Sequence, residues 1–585
     1  MSSSTASAAR PIQDRWAKPF APIAAFLERE RSAPLLVACA LAIAGAYILL
    51  TFNIDFLVGS GAFWANPRGP WLMDPHDSID SADILDMQVG YTAFLHAPWG
   101  LPLFFVPDLG TPTGTSVILL DVIPIVAFAG KLFASATGVQ VNPYGVWIAA
   151  CFILSAVFAV LLMIQFGQRS LLAAFGASIL AISMPALLHR FGHIALLGQF
   201  LVIGALWLYS RDAHGTSTPW RRNAWWAAWL CLAVMVHAYL FAMAAALYAA
   251  TVLRRINTQH LSMRGALREP FLVACSVMTV MVAAGYFGQG TGSSASSGGY
   301  GYYSMNLLSP LWPQRSGLFP GFHDLVTGLD GQYEGFNYLG AGVLLLAAIA
   351  AWTSWGSLRP IIHRHLVLVV AFVYLTLFAI SNVWFLGARQ VFYVPLPAAL
   401  DSLAGIFRSS GRMFWPCAYA VALFSLVLAL RRLAPGWKTV AVLGCCLLQL
   451  IDSNPLRTRI TTLTQRQVPT QLDRPQWEAR MLRADRVQVE PSFMCGSLAS
   501  HVEQLEIQRA AVGTRRPTNA VYNPRLQVDC AASEAAATQG PWDDHTLYVF
   551  FQDTGVTVPA GWRPPELACE PFDRGFWCLG LAHGE

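Results

Sequence analysis

Apolar windows of about 20 residues recur along this chain, and that is the length a helix needs to cross a bilayer. Charged residues make up only 12% of the chain, against roughly a quarter of an ordinary soluble domain. This shortage excludes a soluble enzyme, and a hydrophobic content of 55% excludes a disordered chain. We expect a polytopic, mainly α-helical membrane protein. The windows lie near residues 34–52, 146–167, 171–188, 192–210, 224–253, 270–287, 336–355, 366–381, 413–430 and 438–452.

Two parts of the chain need a separate interpretation. Residues 224–253 would form a helix about 45 Å long, too long for one crossing, so we expect a hairpin that turns at His237–Tyr239. Residues 117–134 carry Asp121 and Pro124 in an apolar run, which predicts a re-entrant or juxtamembrane helix. A carboxylate such as Asp121 at this depth is expected to face a cavity and bind substrate, or else to cap the helix. The count is then about eleven spans.

Basic residues predict the orientation of these spans. They cluster in the connections that include Arg169, Arg221, Arg254, Arg359 and Arg431. The positive-inside rule places such connections in the cytoplasm, together with the basic start of the chain. We therefore expect a bacterial inner-membrane protein whose amino terminus is cytoplasmic and whose carboxyl terminus is periplasmic.

We divide the chain into a cytoplasmic segment, a transmembrane domain with two long periplasmic loops, and a soluble tail. Their bounds are 1–33 for the segment, 34–452 for the domain, 53–145 and 288–337 for its loops, and 453–585 for the tail. Apolar runs such as Leu547–Phe551 predict β-structure in the tail, and hence a small α+β domain. The net charge of +5 gives no reason to expect nucleic acid as a partner.

The 11 cysteines divide between the membrane windows and the tail. Seven lie in the windows, where they are small apolar residues. The others are Cys495, Cys530, Cys569 and Cys578, an even number that suits disulfides in an oxidising periplasm. Four cysteines allow three pairings, and the sequence does not select one.

The first periplasmic loop carries aspartates at intervals of three residues: Asp74, Asp77, Asp80, Asp83 and Asp86. A helix expected from about Ser81 to Leu95 would place the last three on one face. Carboxylates this close repel one another, so one acquires a raised pKa suited to a general base, or the group shares a cation. The alternative is helix capping by Asp80 or Ser81, with Asp83 in the first turn.

Polar residues also lie at the predicted periplasmic ends of later spans. His189, Arg190 and His193 offer donors for a phosphate, with interfacial anchoring as the alternative. His237 and Tyr239 stand at the turn of the expected hairpin. They are candidate substrate contacts, and the alternative is a core histidine bonded to a backbone carbonyl.

Arg408 and Arg412 bracket Ser-Ser-Gly just outside a span, on the side where basic residues are scarce. Two forked guanidinium groups and a closely approaching backbone favour a phosphate, and a salt bridge or interface is the alternative. The segment 288–303 is rich in Gly and Ser and ends in tyrosines that include Tyr302 and Tyr303. It is a candidate lid over a sugar or an ordinary linker.

A long acidic first loop, juxtamembrane helices, many spans and an outer carboxy-terminal domain resemble the GT-C superfamily of integral-membrane glycosyltransferases. Six segments are also similar to a family of bacterial multi-pass membrane proteins of unassigned function. They are Asp83–Pro102, Gly114–Pro124, His189–Leu196, His237–Leu240, Glu334–Gly340 and Phe407–Arg412.

The resemblance implies a polyprenyl-phosphate-linked sugar donor, an inverting transfer on the periplasmic face, and an acid of the first loop as base. Asp83 matches that acid, while Asp86 stands where relatives have a Gln, so either can be the base. Asp83 and Asp86 are also candidate ligands of a divalent cation such as Mg²⁺ or Mn²⁺. The acceptor would be a glycan, a lipid or a secreted protein such as a pilin.

Two other classes of function stay open. A transporter or flippase of lipid-linked sugars would also need polar groups near the bilayer centre. A non-catalytic cell-envelope assembly protein would need no cavity joining Asp83 to Arg408. The sequence has no zinc-ligand spacing, nucleotide-binding loop or serine-hydrolase motif.

Overall fold

The computed structural model describes residues 21–70, 80–81, 83–213, 218–258, 263–287, 299–495, 501–522, 529–552, 562–564 and 567–580. Within them the chain is mainly helical, and a small strand-containing domain follows the last apolar helix.

The helices up to residue 284 alternate long apolar helices with short connecting ones. They are α1 (Ala21–Glu28), α2 (Ala33–Thr51), α3 (Ile54–Leu57), α4 (Ala62–Ala65), α5 (Asp83–His96), α6 (Pro124–Thr137), α7 (Tyr144–Gln165), α8 (Leu171–Ile182), α9 (Pro185–Leu188), α10 (Phe200–Ala213), α11 (Pro219–Val234), α12 (Ala238–Thr258) and α13 (Met263–Ala284).

The later helices are α14 (Ala341–Arg364), α15 (Leu366–Ile380), α16 (Ala398–Gly405), α17 (Trp415–Arg432), α18 (Trp437–Asp452), α19 (Asn454–Gln465), α20 (Arg474–Leu482), α21 (His501–Gly513) and α22 (Cys530–Gln539). The strands are β1 (Gly69–Pro70), β2 (Asp80–Ser81), β3 (Phe105–Val106), β4 (Thr115–Ser116), β5 (Val383–Leu386), β6 (Arg389–Tyr393), β7 (Arg486–Glu490), β8 (Thr546–Phe551), β9 (Leu567–Phe572) and β10 (Gly575–Gly580).

Each apolar window of the sequence contains a helix, but the helices differ in length. Seven stretches of the described chain are long and apolar enough to cross a membrane, and an eighth is added if the bent pair α18 and α19 is one span. The count of about eleven spans is not confirmed, because α8 has 12 residues and α15 has 15. Both are shorter than the about 20 residues that a crossing needs.

Both regions that needed separate interpretation contain a break. Helix α11 ends at Val234 and α12 begins at Ala238, and the two helices pack against each other. Residues 117–120 form a 3₁₀ turn that leads into the 14-residue helix α6. Pro124 begins α6 because the missing N–H of proline falls where a helix has no internal partner for it.

The carboxy-terminal domain is built on a four-stranded sheet in the order β7-β8-β10-β9. Strand β7 runs parallel to β8, and β10 is antiparallel to both β8 and β9. Strand β8 is buried along its length because Leu547 and Val549 pack into one apolar core and Tyr548 and Phe550 into another. Disulfides join Cys495 to Cys530 and Cys569 to Cys578.

This domain docks on the first long loop of the helical region. The backbone N–H of Thr518 donates to the carbonyl of Asp108, and the carbonyl of Thr518 accepts from Gly110. A buried ion pair joins Arg68 to Glu506 at 2.8 Å. The domain therefore lies against the loop that carries α5.

Candidate functional site

The aspartate that opens α5 lies beside a histidine from a distant part of the chain. Asp83 is in the first turn of α5, where a negative charge interacts favourably with the positive end of the helix dipole. Nε2 of His193 lies 3.3 Å from Oδ2 of Asp83, and the two side chains are 20% and 24% exposed. The carboxylate is thus oriented by the imidazole and still accessible. Asp74 and Asp77 lie outside the described residues.

One turn further along α5, Asp86 has a different environment. Its side chain is buried, and its Oδ1 has no hydrogen-bond partner among the described residues. Burial raises the pKa of Asp86 well above its usual value, and the charges of Asp121 and Asp83 raise it further. The protonated form of Asp86 is therefore favoured.

Asp121 completes the acidic cluster, which we define as Asp83, Asp86 and Asp121. It follows the 3₁₀ turn in the left-handed region with φ of 52°, a conformation that aspartate tolerates better than most residues. Its side chain does not cap α6, because the residue before that helix is Ile123. Instead, its charge acts on Asp86 and on Arg412.

Glu334 joins two arginines that the sequence analysis assigned to a phosphate. Nε and Nη2 of Arg412 donate to the Glu334 carboxylate at 2.9 and 2.7 Å. Arg190 forms an ion pair with the same carboxylate, and its Nη2 donates to the Glu334 carbonyl at 2.6 Å. Burial alone would raise the pKa of Glu334, but the two arginines bring it well below its usual value.

These contacts are the salt bridge that was the alternative to a phosphate site for Arg412. They give Arg190 the same partner. Two guanidinium groups on one carboxylate leave one net positive charge in a buried place. The phosphate contact of these two arginines stays a prediction. We define the arginine cluster as Arg190, Arg408 and Arg412, together with Glu334, which binds Arg190 and Arg412.

His189 ends the short helix α9 and packs on Phe336, with 4.3 Å between ring centres. Burial and the charges of Arg315 and Arg190 lower the pKa of His189 well below its usual value, which favours the neutral ring. Its Nδ1 has no hydrogen-bond partner among the described residues. The side chain lines a cavity of about 200 Å³. His189 is therefore suited to hydrogen bonding and not to neutralising a phosphate.

His237 and Tyr239 connect the hairpin turn to the arginine cluster. Nδ1 of His237 accepts from the backbone N–H of Tyr239 at 3.1 Å. The Tyr239 hydroxyl accepts from the N–H of Ser409 at 2.8 Å, and the guanidinium of Arg412 lies 4.9 Å from the centre of the tyrosine ring. These contacts hold the segment 408–412 in place.

The tyrosines at the end of the predicted lid reach the same segment. The half-buried Arg408 has its guanidinium 5.5 Å from the ring centre of Tyr303. Tyr302 is exposed and meets Tyr303 edge-on, with 4.8 Å between ring centres. The carbonyl of Tyr303 accepts from the N–H of Gly411. Residues 288–298 of the predicted lid lie outside the described residues.

Two residues of the site were not selected from the sequence. Glu334 lies in the segment Glu334–Gly340, which entered the sequence analysis only through the family resemblance. The need of the two arginines for a counter-charge is the signal that points to it. Tyr522 comes from the carboxy-terminal domain. Burial raises its pKa, and the charges of the acidic cluster raise it further. Its position depends on the docking of the two domains, for which the sequence has no local signal.

The divalent cation predicted at Asp83 and Asp86 finds little support in the arrangement of side chains. Among the residues that the structure describes, no three His, Cys, Asp or Glu side chains are grouped so that they could hold a metal ion. Mg²⁺ and Mn²⁺ are held by several oxygen ligands, and Asp83 and Asp86 alone supply only two side chains. The cation stays a prediction, and we derive no step through it.

Side chains from distant segments thus converge on one region beneath the carboxy-terminal domain. The Asp83–His193 pair and the Glu334 ion pairs link these segments directly. The acidic and arginine clusters interact electrostatically, since Asp121 acts on Arg412 and Tyr522 interacts with both the acidic cluster and Arg408. The arrangement brings the carboxylates of the acidic cluster within electrostatic range of fixed cations.

Comparison with known families adds a classification to this geometry. A family model described as a domain of unknown function, DUF6311, matches residues 28–454, and the model of the DUF6311 C-terminal domain matches residues 476–580. Comparison with curated proteins finds no match. The two matched ranges follow the division into a helical region and a strand-containing domain. Because the first range covers more than half of the chain, the protein belongs to the DUF6311 family.

Proposed function

We propose that this protein is a membrane glycosyltransferase that uses a polyprenyl-phosphate-linked sugar as its donor. The reaction needs a base for the acceptor hydroxyl and cations for the lipid phosphate, side by side. The observation that carries the proposal is geometric. Asp83 lies 3.3 Å from His193, three residues after Arg190, and Arg190 shares the Glu334 carboxylate with Arg412.

Asp83 is the proposed general base. The acceptor oxygen attacks the anomeric carbon opposite the phosphate, so the new C–O bond forms as the bond to the phosphate oxygen breaks. The configuration inverts, the electron pair of the broken bond leaves with the phosphate, and the hydroxyl proton passes to the Asp83 carboxylate. His193, 3.3 Å from that carboxylate, positions it.

Asp86 is the proposed neutral neighbour of the base. Its burial and the two nearby carboxylates favour a protonated group, which cannot accept a second proton. Its hydroxyl is available as a hydrogen-bond donor to the substrate. This difference in environment supports Asp83 over Asp86 as the base.

Arg408 is the proposed primary contact of the donor phosphate, because Glu334 binds Arg190 and Arg412 and not Arg408. The other two arginines contribute the net positive charge of their trio, and Glu334 fixes them before the donor arrives. Cations held in place stabilise a developing phosphate charge without reorganising during the reaction. Tyr303 adjoins Arg408 and Tyr302 adjoins Tyr303, and we propose that these rings contact the sugar.

We also propose that the reaction takes place on the periplasmic face of a bacterial inner membrane. The two disulfides of the carboxy-terminal domain support this side, since such bonds persist in oxidising compartments. That domain docks on the first long loop, which carries the acidic cluster, so the domain and the site lie on the same side.

The test is sugar transfer in membranes that contain equal amounts of folded parent or variant protein, with radiolabelled polyprenyl-phosphate sugars as donors. We expect Asp83→Asn to lower the rate about 100-fold or more, the range typical of a lost general base. Asp401→Asn, in the exposed start of α16, is the matched control and keeps the parent rate. Transfer at the parent rate by Asp83→Asn would remove Asp83 from the mechanism.

A further inference from the structure

A groove of about 1170 Å³ opens between the first long loop and the carboxy-terminal domain. One wall is the turn 110–115, and the other is β7 with the segments 517–521 and 543–545. Typical ligand pockets have volumes of roughly 300–1,000 Å³. The groove is therefore large enough for several units of a chain.

The lining is rich in neutral hydrogen-bonding groups, and its charged residues give it no excess of positive charge. Asp485 is exposed and lies 3.8 Å from Nδ1 of His545. Arg486 forms an ion pair with Asp543. The buried Glu490 accepts from Gln488 at 2.9 Å, and burial raises its pKa. Neutral polar residues of the lining include Thr111, Thr113, Gln488, Ser492 and Ser533. Such a surface suits a ligand rich in hydroxyl groups and without net charge.

The groove is poorly suited to an extended peptide. Strand β7 is at the edge of its sheet, where a peptide strand would add by backbone hydrogen bonds. Those backbone groups are already occupied: the N–H of Val487 donates to the carbonyl of Pro517 at 2.9 Å. Val489 exchanges two hydrogen bonds with the side chain of Asn519, at 2.7 and 2.9 Å. Recognition must therefore use side chains.

An aromatic pair connects the groove to the candidate site. Phe493 lines the groove, and its ring centre is 5.0 Å from that of Tyr522. Tyr522 interacts electrostatically with all three members of the acidic cluster. Phe493 and Tyr522 thus form a packed aromatic contact between the groove and the acidic cluster.

We propose that this groove binds the acceptor, that the acceptor is a neutral polyhydroxylated chain, that is, a glycan, and that the groove leads its terminal hydroxyl to Asp83. Neutral polar groups of the lining bind the hydroxyls, and the buried Phe493 forms part of the wall. The inference rests on the proposed function and narrows the acceptor from three classes to one.

The test is binding of labelled hexamers to the full-length protein in detergent micelles. The probes are maltohexaose, cellohexaose and chitohexaose, with a hexamer of galacturonic acid and the peptide (Gly-Ser)₃ for comparison. We expect a neutral hexasaccharide to bind tenfold or more tightly than the acidic hexamer and the peptide. Thr113→Trp, which fills the groove from an exposed position, and the double change Gln488→Ala with His545→Ala should each weaken that binding tenfold or more.

Gln476→Ala, at an exposed position of α20 outside the groove lining, is the matched control and keeps the parent affinity. Thermal unfolding of each variant confirms that the carboxy-terminal domain is folded. The inference is overturned if no neutral hexasaccharide binds, if the peptide or acidic hexamer binds as tightly, or if the groove variants bind like the control. Because binding needs no donor, loss of sugar transfer in the Asp83→Asn experiment is a separate result, and each proposal can fail without the other.

Discussion

The carboxylate of Glu334 receives Nε and Nη2 of Arg412 in a two-point ion pair, at 2.9 and 2.7 Å, inside the protein. Arg190 binds the same carboxylate from another part of the chain. Removing one partner of a buried pair leaves an uncompensated charge in a medium of low polarity, which costs more than the pair contributes. Glu334 therefore holds together the end of the helical bundle that carries the candidate site.

Glu334→Gln should lower the unfolding free energy by about 3–5 kcal/mol, because it leaves two buried guanidinium groups without a carboxylate. Thermal unfolding in detergent measures the loss. The double change Glu334→Gln with Arg412→Gln restores the parent net charge and should recover part of it. Glu478→Gln, which breaks the more exposed pair with Arg474, should cost less than about 1 kcal/mol. Equal losses for Glu334→Gln and Glu478→Gln would contradict this account.

The environment of Asp86 predicts a dependence of stability on pH. Its folded-state pKa lies well above the usual 3.8 because of burial and of its two carboxylate neighbours, so the folded state holds the proton more tightly than the unfolded state. The stability from this group is present below pH 3.8 and is lost as pH rises through the higher folded pKa. The side chain of Asp86→Asn does not titrate, so its contribution to stability does not change with pH.

The melting temperature of Asp86→Asn minus that of the parent should therefore increase as the pH is raised from 5 to 8, a range above the unfolded pKa. The exposed Asp401→Asn should track the parent throughout that range. Parallel curves for Asp86→Asn and the parent would show that the Asp86 carboxyl does not hold a proton in the folded state.

The disulfide between Cys495 and Cys530 predicts a further stability change. It closes a loop with a sequence separation of 35, and a crosslink of that length stabilises a fold by about 2–4 kcal/mol, chiefly by restricting the unfolded chain. Changing both cysteines to serine should lower the unfolding free energy of the carboxy-terminal domain by this amount. Cys275→Ala, at an exposed free cysteine, is the control. Peptide mapping without reduction that links Cys495 to Cys569 or Cys578 would contradict the pairing.

Much of the helical architecture was predictable because the bilayer imposes a length on apolar segments. A break in the run 224–253 followed from its length, but it lies at residues 235–237, and Ala238 and Tyr239 of the expected turn belong to α12. A helix was also expected in the run 117–134, and it begins only at Pro124. The number of spans was not predictable in this way. The apolar window 171–188 is divided by a break between α8 and α9, so α8 is short. Hydropathy does not register such a break.

The candidate site was predictable one motif at a time, because charge is scarce in this chain and each charged residue stands out. The pairing of the motifs was not predictable. Arg190 and Arg412 were assigned to a phosphate, yet both bind Glu334, since a counter-charge distant in sequence can be a neighbour in the fold. Tyr522 was missed because its position follows from how the carboxy-terminal domain docks on residues 108–111.

The fate of the donor tests the proposed transferase activity most directly. Purified protein in liposomes would be given a polyprenyl-phosphate sugar labelled in both the lipid and the sugar, with membrane extract as the source of acceptor. A transferase predicts one free polyprenyl phosphate for each sugar that appears in product, and cleavage slowed about 100-fold or more with Asp83→Asn. Donor that stays intact, whether it crosses the bilayer or remains where it was added, would contradict the proposal.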